Sequence, residues 1–178
     1  MFATREPGGS PGAEAVRRLL LEGEADRWDA VSEALLLCAA RRDHIRKLIE
    51  PALRAGTWII CDRFTDSTFA YQGYGRGAPL SELAAIQHAA IADFRPDLTL
   101  MLDLPVSDGL SRAAARRGAG DRFERLDRAF HERLRQGFLA IAAAEPVRCA
   151  VIDAFGTVEE VHAAIVATVA RRLGIALA

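Results

Sequence analysis

The sequence has 178 residues, of which 51% are hydrophobic and 26% charged, an ordinary composition for a globular protein with room for a sizeable core. Lysine and arginine together number 23 and aspartate and glutamate 24, so the formal net charge is -1. This balance gives no sign of a nucleic-acid-binding surface, and no apolar run is long enough to span a membrane, so we expect neither partner.

Helical and strand patterns alternate along the chain. Residues 1–4 have the composition of the last residues of a strand, and a loop rich in glycine and proline follows at 5–12. Short apolar runs predict buried parallel strands, and apolar residues at helical spacing predict the helices between them. The later predicted elements are a helix at 13–22, a long helix at 28–54 with Pro51 at a bend and Gly56 near its end, a strand at 57–61, a helix at 65–72, a glycine-rich loop at 73–79, a helix at 80–93, a strand at 98–102, helices at 106–117 and 127–144, a strand at 147–152 and a helix at 157–173. The alternation predicts an α/β fold with a parallel sheet, in a single domain over residues 1–178.

The three cysteines, Cys38, Cys61 and Cys149, are far apart and lie in apolar stretches. Their odd number and spacing favour reduced, buried thiols over a disulfide framework or a zinc site. The N-terminus also lacks the basic and apolar regions of a signal peptide. We therefore expect a cytoplasmic protein.

Polar residues follow two of the predicted strands directly. Arg5 and Glu6 come after the first stretch, and Asp62 and Arg63 come after the strand at 57–61. Since ligands of parallel α/β sheets bind beyond the carboxyl ends of the strands, these residues predict a binding site there. This placement favours an enzyme.

Three polar clusters stand out within that frame. The loop Thr4–Gly9 has adjacent glycines whose backbone amides could approach an anion, although a plain surface turn would have the same composition. The stretch 62–72 combines groups that suit phosphate, magnesium and a base edge, although helix capping explains one or two of them. The third cluster is rich in arginine and is either a mobile loop that closes over phosphates or a solvated helix end: it comprises Arg112, Arg116, Arg117, Arg122 and Arg125.

Five stretches match one family in the same order along the chain. They are TREPGG, EALLLCAARRDH, CDRFTDSTFAYQGYGRG, PDLTLMLDLP and DRFE, and the match as a whole runs from Thr4 to about Ile165. On these motifs the sequence resembles bacterial thymidylate kinases. The resemblance implies a P-loop nucleoside monophosphate kinase fold, with a parallel sheet and helices on both of its faces. It also implies a homodimer that transfers the γ-phosphoryl group of ATP to dTMP with Mg²⁺, giving dTDP and ADP.

The resemblance implies roles for individual residues as well. Arg63 would contact the dTMP phosphate and the phosphoryl group in transfer, and Asp62 would place Mg²⁺ through water. Arg122 would act from a lid, residues 116–126, that closes over ATP. The other implied residues are Arg116 and Arg117 in the lid, Glu6 and Arg17 beside the monophosphate, Arg41 at the thymine edge, Ser67, Thr68 and Gln72 at the base, and Tyr71 at the sugar.

The sequence departs from the family at Leu37, where an aromatic residue commonly stacks on thymine. Leucine can still cover the face of the base, but it loses the ring stacking, which is worth about 0.5–1.5 kcal/mol between aromatic partners. We therefore expect weaker or shifted packing of the base and a site that is otherwise preserved.

A second departure concerns the ATP site. The family carries a strand, a P-loop and a helix before TREPGG, but the sequence contains no G-x-x-x-x-G-K-S/T motif. We therefore expect a fold without its first strand and P-loop, inactive as written and active in a complete form. The working hypothesis is a misplaced start or a truncation at Met1.

Two other functions are left open by the residues. One is a non-catalytic protein that binds dTMP or a partner and has no ATP site. The other is a different nucleoside monophosphate kinase on a related scaffold, against which the AYQG stretch and Arg41 argue.

Overall fold

The computed structural model describes residues 1–24, 26–115, 123 and 126–176. Within them the strands are β1 (Phe2–Arg5), β2 (Ile59–Asp62), β3 (Thr99–Asp103) and β4 (Cys149–Asp153). The α-helices are α1 (Pro11–Leu21), α2 (Ala30–His44), α3 (Glu50–Arg54), α4 (Thr65–Thr68), α5 (Leu80–Ile91), α6 (Val106–Ala115), α7 (Arg128–Ala144) and α8 (Val158–Leu173). Two π-helical segments, Ile45–Ile49 and Phe69–Gly75, join α2 to α3 and extend α4. The predicted order of strands and helices is confirmed.

Local sequence signals set the ends of several helices. Ser10 caps α1 and Asp29 caps α2, each accepting hydrogen bonds from backbone amides of the first turn. Thr157 and Glu160 form a reciprocal capping box at the start of α8. That helix is capped at its other end by Gly174, whose φ of 64° lies in the left-handed region that glycine adopts without strain.

The strands pair in parallel, as the alternation predicted. β1 pairs with β2 and β3 pairs with β4, and among the described residues these form two separate two-stranded sheets. The α/β class with parallel strands is therefore confirmed. The absence of a first strand is not confirmed, because β1 is a paired strand at the N-terminal end of the described chain.

One face of each strand is open to solvent. The exposed fraction is 56% for Ile60, 55% for Leu102 and 46% for Val151, and Trp58 just before β2 is also exposed. The prediction of buried strands is therefore wrong for one face of these sheets. Successive side chains of a strand point to opposite faces, and only one of the two sets is covered here.

Helix α7 packs against the π-helical segment Phe69–Gly75. A Cβ atom on Gly137 would lie 2.6 Å from the Cβ of Tyr74, so the close approach of the two elements requires glycine at this position. Ala70, Phe130 and Leu134 form a buried apolar cluster at the same contact. Helix α7 thus holds in place the π-helical segment Phe69–Gly75, which carries candidate site residues such as Tyr71 and Gln72.

Arg148, which immediately precedes β4, connects the two sheets through side chains. Its guanidinium donates to the Asp66 carboxylate at 2.7 and 2.8 Å and to the Thr99 hydroxyl at 2.8 Å. It also donates to Glu145 at 2.9 Å. Asp66 lies in α4 after β2, and Thr99 begins β3, so one side chain links the elements that follow β2 to the start of the second sheet.

One predicted loop differs from the structure. The glycine-rich loop expected at 73–79 is still helical as far as Gly75, because a wide helical turn there lets Gly73 pack closely against α5 and Gly75 against α7. Helix α6 is described as far as Ala115, and its predicted end at 117 lies outside the described residues. The proposed lid at 116–126 falls largely outside the described residues, as do Arg116, Arg117 and Arg122.

Candidate functional site

One pocket collects most of the residues that the sequence singled out. It lies at the carboxyl ends of β1 and β2, between the loop after β1, helices α1 and α2, and the helical turns after β2. The predicted residues that line it are Glu6, Arg17, Leu37, Arg41, Arg63, Ser67, Thr68, Tyr71 and Gln72. Asp62 is exposed and is not part of the lining.

Arg41 is the centre of the pocket wall, and only 2% of it is exposed. Its Nε donates to Glu6 at 2.7 Å, Nη1 donates to Gln87 at 2.9 Å, and Nη2 donates to Thr68 at 3.0 Å. The ring of Phe64 lies 5.3 Å from the guanidinium carbon, a cation–π distance. The planar guanidinium therefore ties α2 to the loop after β1, to α4 and to α5 at the same time. The single ammonium group of a lysine could not reach all three acceptors.

The loop after β1 is tied to α2 through His44, which is fully buried. Its Nε2 lies 2.8 Å from the Thr4 hydroxyl and its Nδ1 lies 3.2 Å from Glu6. Gly9, with a φ of 84°, packs so closely on His44 that a Cβ atom there would collide with the imidazole. This loop therefore owes its shape to a residue that the sequence reasoning missed.

The same loop is also held by Glu14 in α1. Its carboxylate accepts from the backbone amide of Gly9 at 3.0 Å and from Arg5 at 3.1 Å. The hydrogen bond from Gly9 lowers the pKa of the Glu14 carboxyl, against the opposing effect of burial. Arg17, one turn further along, donates to the Pro7 carbonyl at 2.8 Å and so faces the pocket beside the loop.

Arg63 occupies the turn that leaves β2, with a φ of 65°. A non-glycine residue in this left-handed region is strained, and such residues concentrate at functional sites. Its Nη1 donates to the Tyr71 hydroxyl at 2.9 Å, and its guanidinium carbon lies 5.1 Å from the centre of the Tyr71 ring. The carbonyl of Arg63 in turn accepts from the Cys61 thiol at 3.1 Å, and burial raises the pKa of that thiol to about 12.

Gln72 and Glu33 form a second polar contact between α2 and the π-helical segment. Gln72 Nε2 donates to the Glu33 carboxylate at 2.9 Å, and Arg76 donates to the other oxygen of that carboxylate. Both Gln72 and Glu33 are buried. Glu33 was not predicted, although it lies on the same helical face as Leu37 and Arg41, at i, i+4 and i+8, and this spacing could have revealed it.

The carboxylates near the pocket bear on magnesium binding. Glu6 is already engaged by Arg41 and His44, which leaves Asp62 as the exposed carboxylate beside Arg63. Across the described part of the chain, no three His, Cys, Asp or Glu side chains are grouped to hold a metal ion. Because Mg²⁺ usually keeps several waters and binds one or two carboxylates together with substrate phosphates, a single exposed aspartate fits it.

Comparisons with known proteins identify the class to which this fold and pocket belong. A crystal structure of thymidylate kinase from Ehrlichia chaffeensis superposes with a TM-score of 0.74 at 35% identity, over 94% of this chain and 80% of that one. The fold is thus the α/β fold of nucleoside monophosphate kinases.

Sequence comparison narrows the class to a family. The thymidylate kinase family model matches residues 1–165. The thymidylate kinase of Caulobacter vibrioides is 56% identical over 175 residues, or 98% of this chain and 84% of that protein. The thymidylate kinase of Afipia carboxidovorans is 52% identical over 178 residues, covering 99% of this chain and 78% of that protein. The chain belongs to the thymidylate kinase family, whose members are nucleotide-binding transferases. No helix in the described ranges is both long and apolar enough to cross a membrane.

Proposed function

We propose that this protein binds dTMP in the pocket around Arg41 and transfers the γ-phosphoryl group of ATP to it, giving dTDP and ADP. The observation that carries the proposal is the convergence of nine predicted residues, scattered from Glu6 to Gln72, on one pocket at the carboxyl ends of two parallel strands. Phosphoryl transfer needs positioned positive charge and little covalent chemistry, and the pocket offers arginines from three elements.

Different residues of the pocket contact the base, the sugar and the phosphate of dTMP in this proposal. The edge of the base contacts Arg41, Thr68 and Gln72, and Ser67 lies beside Thr68 at the same edge. Leu37 covers the face of the base. Arg17 and Arg63 meet the phosphate, and Tyr71, fixed by Arg63, packs against the sugar. Both carboxylate oxygens of Glu6 are paired, one with Arg41 and the other with His44. We therefore assign Glu6 to positioning Arg41 as well as to lining the pocket.

Asp62 is the residue that would hold Mg²⁺, through water, and the ion would neutralise charge on the phosphates when bound. Arg63 is close enough along the chain to act on the same phosphates from the turn after β2. Arg122, together with Arg116 and Arg117, stays a prediction for the lid over ATP. Homodimer formation and a cytoplasmic location are likewise proposals that follow from the family.

The ATP side of the reaction rests on a further proposal. The sequence contains no P-loop motif, and the described strands form two separate sheets whose outer faces expose Ile60, Leu102 and Val151. We propose that the donor site requires a strand and P-loop that this sequence does not contain, placed between β2 and β3. A strand there would join the two sheets into one. The P-loop after it would supply the backbone amides that bind the phosphates.

Two measurements test these proposals. Isothermal titration calorimetry should show dTMP binding to this chain, and Arg41→Leu should abolish it. ADP formation with ATP, Mg²⁺ and dTMP should be found only when a segment that carries a strand and a G-x-x-x-x-G-K-S/T motif is fused before Phe2.

The outcomes separate the alternatives. A folded chain that does not bind dTMP would refute the assignment of the pocket. Turnover by the present sequence without the extension would refute the need for a further P-loop. Binding of dTMP without turnover in either version would point to a non-catalytic nucleotide-binding protein.

A further inference from the structure

The side chain of Gln72 has one end paired and one end unpaired inside the protein. Only 1% of the residue is exposed, and its Nε2 donates to Glu33 at 2.9 Å. Its Oε1 has no hydrogen-bond partner among the described atoms. A buried carbonyl oxygen without a partner is uncommon, and this one belongs to a residue that lines the pocket, so a ligand is the natural source of its missing donor.

Glu33 decides which end of the amide faces the pocket. The two ends of a glutamine amide have nearly the same shape, so its orientation follows from its hydrogen-bond partners. A carboxylate that is flanked by the Arg76 guanidinium accepts hydrogen bonds and cannot offer one in return. Only the NH₂ group of Gln72 can therefore lie against Glu33, and the carbonyl oxygen must lie on the other side.

The arrangement gives the pocket wall a defined polarity. Thr68 and Gln72 are one helical turn apart and contact Arg41 and Glu33 respectively, with Leu37 between those two residues on α2. The wall thus combines the guanidinium of Arg41, a group that only donates, with the carbonyl oxygen of Gln72, which accepts. The edge of thymine runs acceptor, donor, acceptor through O4, N3–H and O2, which complements this combination, whereas cytosine has an acceptor at N3.

We propose that Glu33 is a positioning residue that sets base selectivity: it holds Gln72 with the carbonyl toward the ligand and so selects a pyrimidine that carries a hydrogen on N3. This inference rests on the proposed dTMP site. The competing explanation is that Glu33 only anchors Arg76, which also donates to the Trp28 carbonyl at 2.9 Å, and so fastens two helices together.

A substitution cycle on the full chain separates the two explanations. With Glu33→Gln, either end of the Gln72 amide can face position 33. Selectivity is measured by calorimetry as the ratio of the Kd of 5-methyl-dCMP to that of dTMP. We expect this ratio to fall by roughly tenfold or more in E33Q, since a site built to pair a substrate N–H discriminates strongly against an analogue that lacks it.

Controls isolate the path through Gln72. Glu82→Gln changes an exposed carboxylate of α5 in the same way and should leave the ratio unchanged. In the Gln72→Leu background, adding Glu33→Gln should change the ratio by less than about twofold, because a residue that acts through Gln72 has nothing left to position. An equal fall in both backgrounds, or an unchanged ratio in E33Q, would overturn the proposal.

A measurement without nucleotide keeps the inference testable by itself. The Gln72 side-chain amide protons, assigned by their absence in Q72L, should exchange with solvent at least about tenfold more slowly in the wild-type chain than those of Gln136, because they are buried against Glu33. Fast exchange would overturn the positioning role even if E33Q failed to fold. Slow exchange in a chain that binds no dTMP would uphold the fixed amide and refute the proposed function instead.

Discussion

At the scale of single residues, the protein uses buried charge to order its pocket. Arg41 is almost fully buried, yet its guanidinium touches a carboxylate, an amide and a hydroxyl that come from three different parts of the chain. Buried ion pairs of this kind add little net stability compared with apolar packing. Removing one partner is nevertheless strongly destabilising, because the other is left as a buried charge without a counter-ion. Arg41 is therefore costly to alter even before any ligand binds.

We predict that Arg41→Lys lowers the free energy of unfolding by about 3 kcal/mol, because a single ammonium cannot serve all three acceptors and leaves Glu6 buried with a poor partner. Urea denaturation followed by circular dichroism measures the change. Arg42→Lys is the matched control, since the neighbouring arginine is exposed and donates to a backbone carbonyl, that of Ala90. Equal stability changes in the two variants would contradict the role given to Arg41.

At the scale of elements, charged pairs join strand ends to helices. Asp103 at the end of β3 accepts two hydrogen bonds from Arg135 of α7, at 2.7 and 2.8 Å. These hydrogen bonds hold the pKa of the Asp103 carboxyl below its ordinary value. The pair thereby anchors α7, which in turn supports the π-helical segment that lines the pocket.

This pair predicts a pH-dependent contribution to stability. Because the folded-state pKa of Asp103 is lowered, its stabilisation is complete above the ordinary value of about 3.9 and disappears as the pH falls through the folded-state pKa. We expect Asp103→Asn to cost about 1 kcal/mol at pH 7, as for a partly exposed bidentate pair, and to approach the wild type near pH 2.

Urea denaturation at pH 7, 5, 3 and 2 follows the difference between the two proteins. Asp97→Asn, which alters an exposed carboxylate just before β3, serves as the control. A difference that stayed constant down to pH 2 would show that the loss at Asp103 comes from packing and not from ionisation.

At the scale of the whole molecule, some apolar groups are buried and others are exposed. Both sheets carry exposed apolar residues, such as Ile60 and Leu102, whereas Cys38 and Cys149 are buried. Burial is the leading cause that raises the pKa of all three thiols, including the half-buried Cys61. The native fold therefore keeps its cysteines protonated and unreactive.

We predict slow reaction of the native chain with Ellman's reagent at pH 8. Only the thiolate reacts, and thiols with raised pKa values should label at least about tenfold more slowly than a free cysteine. In urea, all three cysteines should react quickly. One rapid equivalent in the native protein would show that a thiol, most simply Cys61, is more accessible than the structure indicates.

Much of the fold follows from local sequence signals. Ser10, Asp29 and the Thr157–Glu160 box begin helices through contacts within a few residues. The apolar runs predicted as strands at 57–61 and 98–102 form β2 and β3, each shifted by one or two residues. The family motifs also gave the pocket residues, because each motif keeps its spacing along the chain. Local spacing could not predict which distant side chains contact each other, because those contacts form only on folding.

The sequence by itself determined the α/β alternation, the family and most of the residues that line the pocket. Only the tertiary structure decided that Glu33 and His44 support Gln72 and Glu6, across 39 and 38 positions of the chain. It also decided that the strands leave one face open and form two sheets. The physical reason is that burial and hydrogen-bond direction depend on which distant segments pack together, and neither periodicity nor motif spacing encodes that choice directly.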